Sequence, residues 1–195
     1  DVCSSDLPIA AGEALWRLSA KALARTHAAL IAEAVGPRQF GVGTPGGTEA
    51  LSHAAQVEAG RRPQAAWVAL DLRNDFPSLR RDAVLHAAAE WAPPLLPYAR
   101  LFLGRRSRYR FLGTNGRGGF LHADEGVDQG DPLSPALLGV TIRRPLQTLE
   151  DRLRELLEEQ GRTSGAAGDA VRVRAYLDGI LVRLPGDLAS LVQIG

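Results

Sequence analysis

Two short apolar segments, each ending at an aspartate, constrain the fold of this chain more than any other feature. Residues 65–72 read AAWVALDL, and residues 171–178 read VRVRAYLD. Segments of this length and composition favour strands, and the first is predicted to be a buried strand. Residues 180–184 read ILVRL and are predicted to be a further strand. The second segment should therefore form a hairpin that bends at Asp178-Gly179, where glycine permits a positive φ.

The two strand-end aspartates predict a site for divalent metal ions. If the strands are neighbours in one sheet, Asp71 and Asp178 lie at the same end of that sheet. Magnesium is commonly held by one or two protein carboxylates together with substrate phosphates. A metal pair about 4 Å apart can hold the attacking and leaving oxygens of a phosphoryl transfer. Each aspartate alone is also typical of an ordinary turn, so the prediction rests on the pair.

Helical periodicity and turn signals predict the remaining elements. The motif QGDPLSP at residues 129–135 is more than a helix start requires, and Asp131 is expected to fix its loop. Ser78 is expected to cap a helix that ends near Trp91, before Pro93-Pro94. The predicted helices cover residues 14–35, 48–60, 78–91 and 134–160, and a hairpin is predicted over residues 109–122.

Composition narrows the class of protein. The chain has 195 residues with 23 basic and 22 acidic side chains, which suits one domain, or one and part of another. The hydrophobic content of 45% is typical of a soluble globular chain. No apolar run reaches the roughly 20 residues that cross a bilayer. Lys21 is the only lysine, and arginine suits phosphate recognition, although a GC-rich coding sequence would produce the same bias.

The first seven residues are set apart from the fold. The chain contains no methionine, and residues 1–7 read DVCSSDL. This segment back-translates onto the end of a sequencing adaptor, so we expect residues 1–7 to be an adaptor remnant; a natural coil is the alternative. Cys3 is the only cysteine and lies there. A disulfide framework and a cysteine zinc site are therefore excluded.

Several motifs, taken in order, resemble the reverse transcriptases of non-LTR retrotransposons. QGDPLSP is followed by AYLD at residues 175–178, where the family has a YxDD box. LDLRNDF at residues 70–76 resembles the first palm motif of that family. Pro8-Ile9 and Gln39-Phe40-Gly41 resemble its fingers region. The resemblance extends from residue 8 to about residue 186.

The resemblance implies an α+β fold of the right-hand polymerase type, with an antiparallel palm sheet backed by helices. The fingers would occupy about residues 8–64 and 78–128, and the palm about residues 65–77 and 129–195. The thumb and any endonuclease domain of the family are expected to be missing from this sequence. The implied reaction is RNA-directed DNA polymerisation, with an RNA template, a DNA primer and dNTPs as partners and with no membrane involved.

The same resemblance implies roles for individual residues. Asp71 and Asp178 would bind magnesium, with the backbone carbonyl of Leu72 helping and with manganese as a possible substitute. Phe76 would be a steric gate that excludes the 2′-hydroxyl of a ribonucleotide; otherwise it is a core phenylalanine. The implied nucleotide, template and primer contacts are Gln129, Gly130 and Tyr176.

Two departures from the family pattern leave alternatives open. The second aspartate of YxDD is Gly179 here, and Asp75 stands where the family has a small residue before the gate aromatic. The main alternative is therefore a catalytically decayed remnant that still binds nucleic acid. A viral-type RNA-templated RNA polymerase is disfavoured by QGDPLSP and by the bulk of Phe76. If several of the clustered basic residues face a template groove, they would contact phosphates; otherwise they form a solvated surface. These residues are Arg61, Arg62, Arg80, Arg81, Arg105, Arg106, Arg108 and Arg110.

Overall fold

The computed structural model describes residues 12–112, 118–159 and 171–185, so the expected adaptor remnant lies outside the described residues. The described chain is α+β, with helices and two small antiparallel sheets. The helices are α1 Ala14–Thr26, α2 Ala28–Val35, α3 Gly47–Arg61, α4 Asp75–Ser78, α5 Arg81–Trp91, α6 Leu96–Leu103 and α7 Ser134–Glu159, with a 3-10 turn at Pro93–Leu95. The strands are β1 Ala66–Asp71, β2 Ser107–Leu112, β3 Gly118–Ala123, β4 Arg172–Tyr176 and β5 Gly179–Leu184.

The residues divide by their mutual contacts into two compact units. Of the described residues, the first unit contains 12–34, 74–112 and 118–141, and the second contains 35–73, 142–159 and 171–185. Within the described ranges, no helix is both long enough and apolar enough to span a membrane. The expected fingers and palm boundaries remain predictions.

In the first unit, two predicted helices differ from the expected ones. The helix predicted over residues 14–35 is interrupted at His27, which leaves helical geometry with φ −107° and ψ 21°. Ser78 does not cap the helix that ends at Trp91. It ends the short α4, and Leu79 then adopts an extended conformation before α5 begins. The prediction that Ser78 begins the helix ending at Trp91 is therefore wrong, because Ser78 is the last residue of the short helix before it.

Arg81 joins α5 to the β2–β3 hairpin inside the first unit. Its side chain is only 7% exposed. The guanidinium donates from Nε to the Gly126 carbonyl at 3.0 Å, from Nη1 to the Arg105 carbonyl at 2.8 Å and from Nη2 to Ser107 Oγ at 2.9 Å. Arg81 is therefore not one of the surface arginines, because it is buried and its guanidinium holds the protein's own backbone and a serine.

The second unit is built on a three-stranded antiparallel sheet in the order β1-β5-β4. Val173, Ala175, Ile180 and Val182 are buried on one face of β4 and β5, and Arg183 is buried on the other face. β1 is not the buried strand that its sequence predicted. It lies at the edge of the sheet, and its last three residues are exposed.

Helix α3 is joined to the polar face of this sheet by ion pairs. Glu58 accepts hydrogen bonds from both terminal nitrogens of Arg174, at 2.9 and 2.5 Å. Its carboxylate also lies 3.2 Å from Nε of Arg183, whose side chain is 2% exposed. The hydrogen bond from Arg174 lowers the pKa of Glu58, and burial lowers the pKa of Arg183. Glu58 thus compensates two cations that the sheet face would otherwise bury.

Candidate functional site

Asp71 and Asp178 lie at the same end of the sheet in the second unit. β1 and β5 are neighbours, and Asp71 is the register partner of Gly179. Asp178 precedes Gly179 in the bend between β4 and β5. The amide of Leu72 donates to the carbonyl of Asp178 at 3.1 Å, so the chain beyond β1 is tied to this bend.

A pocket of about 440 Å³ lies between this end of the sheet and helix α3. From the sheet it is lined by the two aspartates together with Tyr176, Gly179 and Leu181. Register partners in an antiparallel pair share a face of the sheet. A side chain at position 179 would therefore lie beside Asp71 on the face that carries the pocket.

The opposite wall of the pocket comes from one face of α3. It presents Thr48, Leu51, Ser52 and Ala55, which are spaced three and four residues apart as one helical face requires. The sequence pattern predicts this helix but indicates no role for it at the site. The spacing of the two hydroxyl residues was the only available signal, and it is common in ordinary helices.

The bend between β4 and β5 differs from the predicted one. The residue with positive φ is Leu177, at 52°, while Gly179 is not among the positive-φ residues that the structure describes. A Cβ added at Gly179 would come within 3.5 Å of the Tyr176 carbonyl oxygen, which is an ordinary contact. Position 179 therefore does not require glycine for its backbone or for its space.

The other residues implied by the resemblance lie in the first unit. Phe76 belongs to α4 and is 6% exposed. Gln129 and Gly130 lie in the loop before α7. The Oε1 atom of Gln129 is buried and has no hydrogen-bond partner among the residues described. An unsatisfied buried oxygen is costly, so this amide is a candidate acceptor for a ligand.

Two tyrosines hold the loop that carries Gln129 and Gly130. Tyr98 donates to Asp131 Oδ2 at 2.8 Å, and Tyr109 donates to Asp128 Oδ1 at 2.5 Å. The amide of Leu133 donates to Asp131 Oδ1 at 2.8 Å, so Asp131 fixes the loop as its sequence position predicted. Burial raises the pKa of Asp128. Burial and the hydrogen bond to Asp131 raise the pKa of Tyr98, and burial and the hydrogen bond to Asp128 raise the pKa of Tyr109.

The β2–β3 hairpin of the first unit carries a basic face. Arg108 is paired in register with His122, and Arg110 with Phe120. The guanidinium of Arg108 lies 4.7 Å from the centre of the Phe120 ring, and that ring is 57% exposed. An exposed aromatic ring beside two arginines combines a stacking surface for a base with donors for phosphate.

The described residues contain no cluster of three histidine, cysteine, aspartate or glutamate side chains that could hold a metal ion. The metal donors that line the pocket are two carboxylates, those of Asp71 and Asp178. That set suits a hard cation that takes its other ligands from water and phosphate, such as magnesium. It lacks the nitrogen and sulfur ligands typical of a structural zinc site.

Comparison with known proteins finds solved structures of limited similarity. No protein-family profile matches the chain, and no curated protein matches it in sequence. The chain is similar to the telomerase of Candida albicans solved in complex with a TWJ fragment of telomeric RNA. The two share 12% identity, with a TM-score of 0.41, over 91% of this chain and 31% of that one. At this TM-score the likeness does not establish a shared fold.

Proposed function

We propose that this chain is part of a reverse transcriptase of the non-LTR retrotransposon type, and that Asp71 and Asp178 form its metal-binding site. One observation carries the proposal: both carboxylates line a single pocket at one end of an antiparallel sheet. The ordered motifs LDLRNDF, QGDPLSP and AYLD support it, since each resembles a motif of that family.

The residues at this end of the sheet would have different roles in nucleotidyl transfer. Asp71, Asp178 and the carbonyl of Leu72 would hold magnesium, with manganese as a substitute. Bound magnesium supplies charge neutralisation and alignment of the reacting oxygens. The 3′-hydroxyl of the primer attacks the α-phosphate of the dNTP, the bond to the β-phosphate oxygen breaks, and pyrophosphate leaves. Tyr176, which is 38% exposed at the pocket, would contact the primer end.

The first unit would supply contacts to the nucleotide and template. Phe76 would exclude the 2′-hydroxyl, and Gln129 and Gly130 would contact the incoming nucleotide and the template base. The basic face of the β2–β3 hairpin would bind the RNA template through phosphate contacts and stacking on Phe120. Such contacts should weaken as salt concentration rises.

Manganese binding tests the proposal directly. Calorimetry of the full chain with manganese, alone and with a dNTP, should detect binding that Asp71→Asn and Asp178→Asn each abolish. The matched control is Asp124→Asn, since that carboxylate is 68% exposed and paired with Arg106 in the first unit. Unchanged affinity in Asp71→Asn would remove Asp71 from the site, and unchanged affinity in both variants would overturn the proposal.

Gly179 favours a second candidate function, a nucleic-acid-binding remnant without polymerase activity. The family's second aspartate is missing there, so the site has one carboxylate fewer near the metals. In this case the chain binds a primer–template but does not extend the primer with magnesium or manganese. Primer extension on an RNA template separates the two functions, because any extension that Asp71→Asn abolishes excludes the remnant.

A further inference from the structure

A glutamine far away in the sequence holds the bend that carries Asp178. Gln39 is 2% exposed and lies beside β4, where it forms a parallel bridge with Ala175. Its Oε1 accepts a hydrogen bond from the Leu177 amide at 2.8 Å, and its Nε2 donates to the Leu177 carbonyl at 3.3 Å. Both backbone polar groups of the residue before Asp178 are therefore bound by one side chain.

Leu177 needs such support because of its backbone conformation. Its φ of 52° lies in the left-handed region, which is unfavourable for a branched, non-glycine residue. Residues in this region persist where surrounding contacts determine them. The two hydrogen bonds of Gln39 are such contacts, since they fix the amide and the carbonyl of Leu177 at once.

The loop that carries Gln39 is itself held against β4 and α7 within the second unit. The Ala175 amide donates to the Arg38 carbonyl and the Phe40 amide donates to the Ala175 carbonyl, both at 2.7 Å. Arg38 also pairs with the buried Glu150 of α7 at 2.7 Å. Gln39 Oε1 accepts a second hydrogen bond, from the Gly41 amide at 2.9 Å. The glutamine is thus positioned by contacts on both sides of it.

Gly41 shows how closely the loop approaches the bend. A Cβ at this position would lie 2.8 Å from the Leu177 nitrogen and 2.9 Å from Leu177 Cγ. A side chain there would separate the loop from the bend and weaken the hydrogen bonds of Gln39. At Gly60 in α3, by contrast, a Cβ would have no neighbour within 4 Å.

We propose that Gln39 is a positioning residue that sets the orientation of Asp178 by clamping Leu177, an inference that rests on the proposed metal site. Gln39 does not contact metal or substrate in this role. It acts through the backbone of Leu177, and Asp178 follows in the next position. The loop over residues 38–41 therefore supports the site through Leu177, although none of the loop residues lines the pocket.

Two variant pairs test the role of Gln39. Gln39→Leu keeps the side-chain bulk but removes both hydrogen bonds, and Gln147→Leu makes the same change at an exposed position of α7. Gly41→Ala forces the loop away from the bend, and Gly60→Ala is its control. We expect Gln39→Leu and Gly41→Ala to weaken manganese binding at least about tenfold and to speed hydrogen exchange of the Leu177 amide, while both controls behave as the wild type.

A rescue variant separates positioning from general stability. Asparagine adopts the left-handed region more readily than leucine, so adding Leu177→Asn to Gln39→Leu should restore part of the manganese affinity. Wild-type affinity in a folded Gln39→Leu chain, or unchanged protection of the Leu177 amide, would overturn the inference. If the wild type binds no manganese, the proposed function fails. The positioning role is then decided by hydrogen exchange of the Leu177 amide and by whether the NMR signals of the Asp178 side chain change in Gln39→Leu. If Gln39→Leu does not fold, Gly41→Ala decides in its place.

Discussion

Asp71 lies directly opposite Gly179 in the antiparallel pairing of β1 and β5. Asp71 matches the first motif that the chain resembles, whereas Gly179 is where the sequence departs furthest from the YxDD motif. Opposite residues in such a pair have Cβ atoms roughly 5 Å apart. A carboxylate at position 179 would therefore be close enough to Asp71 to share a cation with it.

On the proposed function, Gly179→Asp should strengthen metal binding and speed primer extension. A tenfold change in rate or affinity corresponds to about 1.4 kcal/mol. A third carboxylate beside a divalent ion can contribute this much stabilisation. We expect at least about tenfold tighter manganese binding and a similar gain in primer extension on RNA, with manganese partly replacing the substitution in the wild type. The backbone and the free space at this position both accept a side chain.

The charge of the new carboxylate gives Gly179→Asp a second signature. Like charges directly opposite one another destabilise a strand pair. When a chelator removes all metal, Gly179→Asp should therefore unfold at a lower temperature than Gly179→Asn. Added manganese should remove that difference in unfolding temperature. A variant that folds well but neither binds metal more tightly nor extends primers faster would show that position 179 does not limit the site. Asp75 would then be the next position to test.

Phe76 can be tested both as a core residue and as a gate. Because its ring is buried, Phe76→Ala should lower the free energy of unfolding by about 3–5 kcal/mol. Phe76→Val removes less volume, and in an active chain it should raise incorporation of rNTPs relative to dNTPs. Val84→Ala is the control, since Val84 is fully buried in the same unit and should cost stability without changing sugar selection. A ratio that does not move in Phe76→Val would make Phe76 a packing residue alone.

Arg81→Lys should destabilise the first unit although it conserves charge. Lysine cannot reproduce the fork that reaches Gly126, Arg105 and Ser107. Loss of hydrogen bonds to a charged group predicts a cost of about 1.5–3 kcal/mol in chemical denaturation. Arg80→Lys is the neighbouring control, because Arg80 is exposed and forms its ion pair with the exposed Asp82. Equal stability of the two variants would contradict the structural role of Arg81.

Glu58 should make the second unit sensitive to acid. Its folded-state pKa is lowered below the ordinary 4.5, chiefly by the hydrogen bond from Arg174. The charged carboxylate therefore stabilises the fold above pH 4.5, and this stabilisation is lost as the pH falls through the lowered pKa. Glu58→Gln should cost about 1.5–3 kcal/mol at neutral pH, and the difference from the wild type should shrink in acid.

Thermal unfolding measured from neutral pH down to about pH 3 checks this prediction. The control is Glu155→Gln, whose side chain is 55% exposed and pairs with Arg152 on the same helix. It should have little effect at any pH, since exposed ion pairs contribute little. A difference for Glu58→Gln that stays constant with pH would mean that the charge of Glu58 is not what stabilises the fold.

Features set by neighbouring residues were predictable from the sequence. The helix from Gly47 to Arg61, the long helix from Ser134 and the β2–β3 hairpin follow from periodicity, an N-terminal Ser-Pro and turn residues. The strand-end position of Asp71 was predicted correctly because an apolar run ends there. These features depend on interactions within a few residues, which the sequence displays directly.

Features set by distant residues were not predictable. Nothing local distinguishes an edge strand from a central one, so the exposed position of β1 was missed. The left-handed conformation was assigned to Gly179 because glycine adopts it at least cost, yet Leu177 adopts it with the support of Gln39. The lining of the pocket by α3 likewise depends on which face of that helix meets the sheet.

The separation of Gln39 and Leu177 along the chain has a consequence for the order of folding. The two residues are 138 positions apart, so their contact closes a long loop, whereas the β4–β5 hairpin closes a short one. Hairpins form in about 1–10 μs, and closure of long loops carries a larger entropic cost. The hairpin can therefore pair early while Asp178 is still free to sample many orientations. If Gln39 sets the orientation of Asp178 as proposed, we expect that orientation to be acquired late in the folding of the second unit.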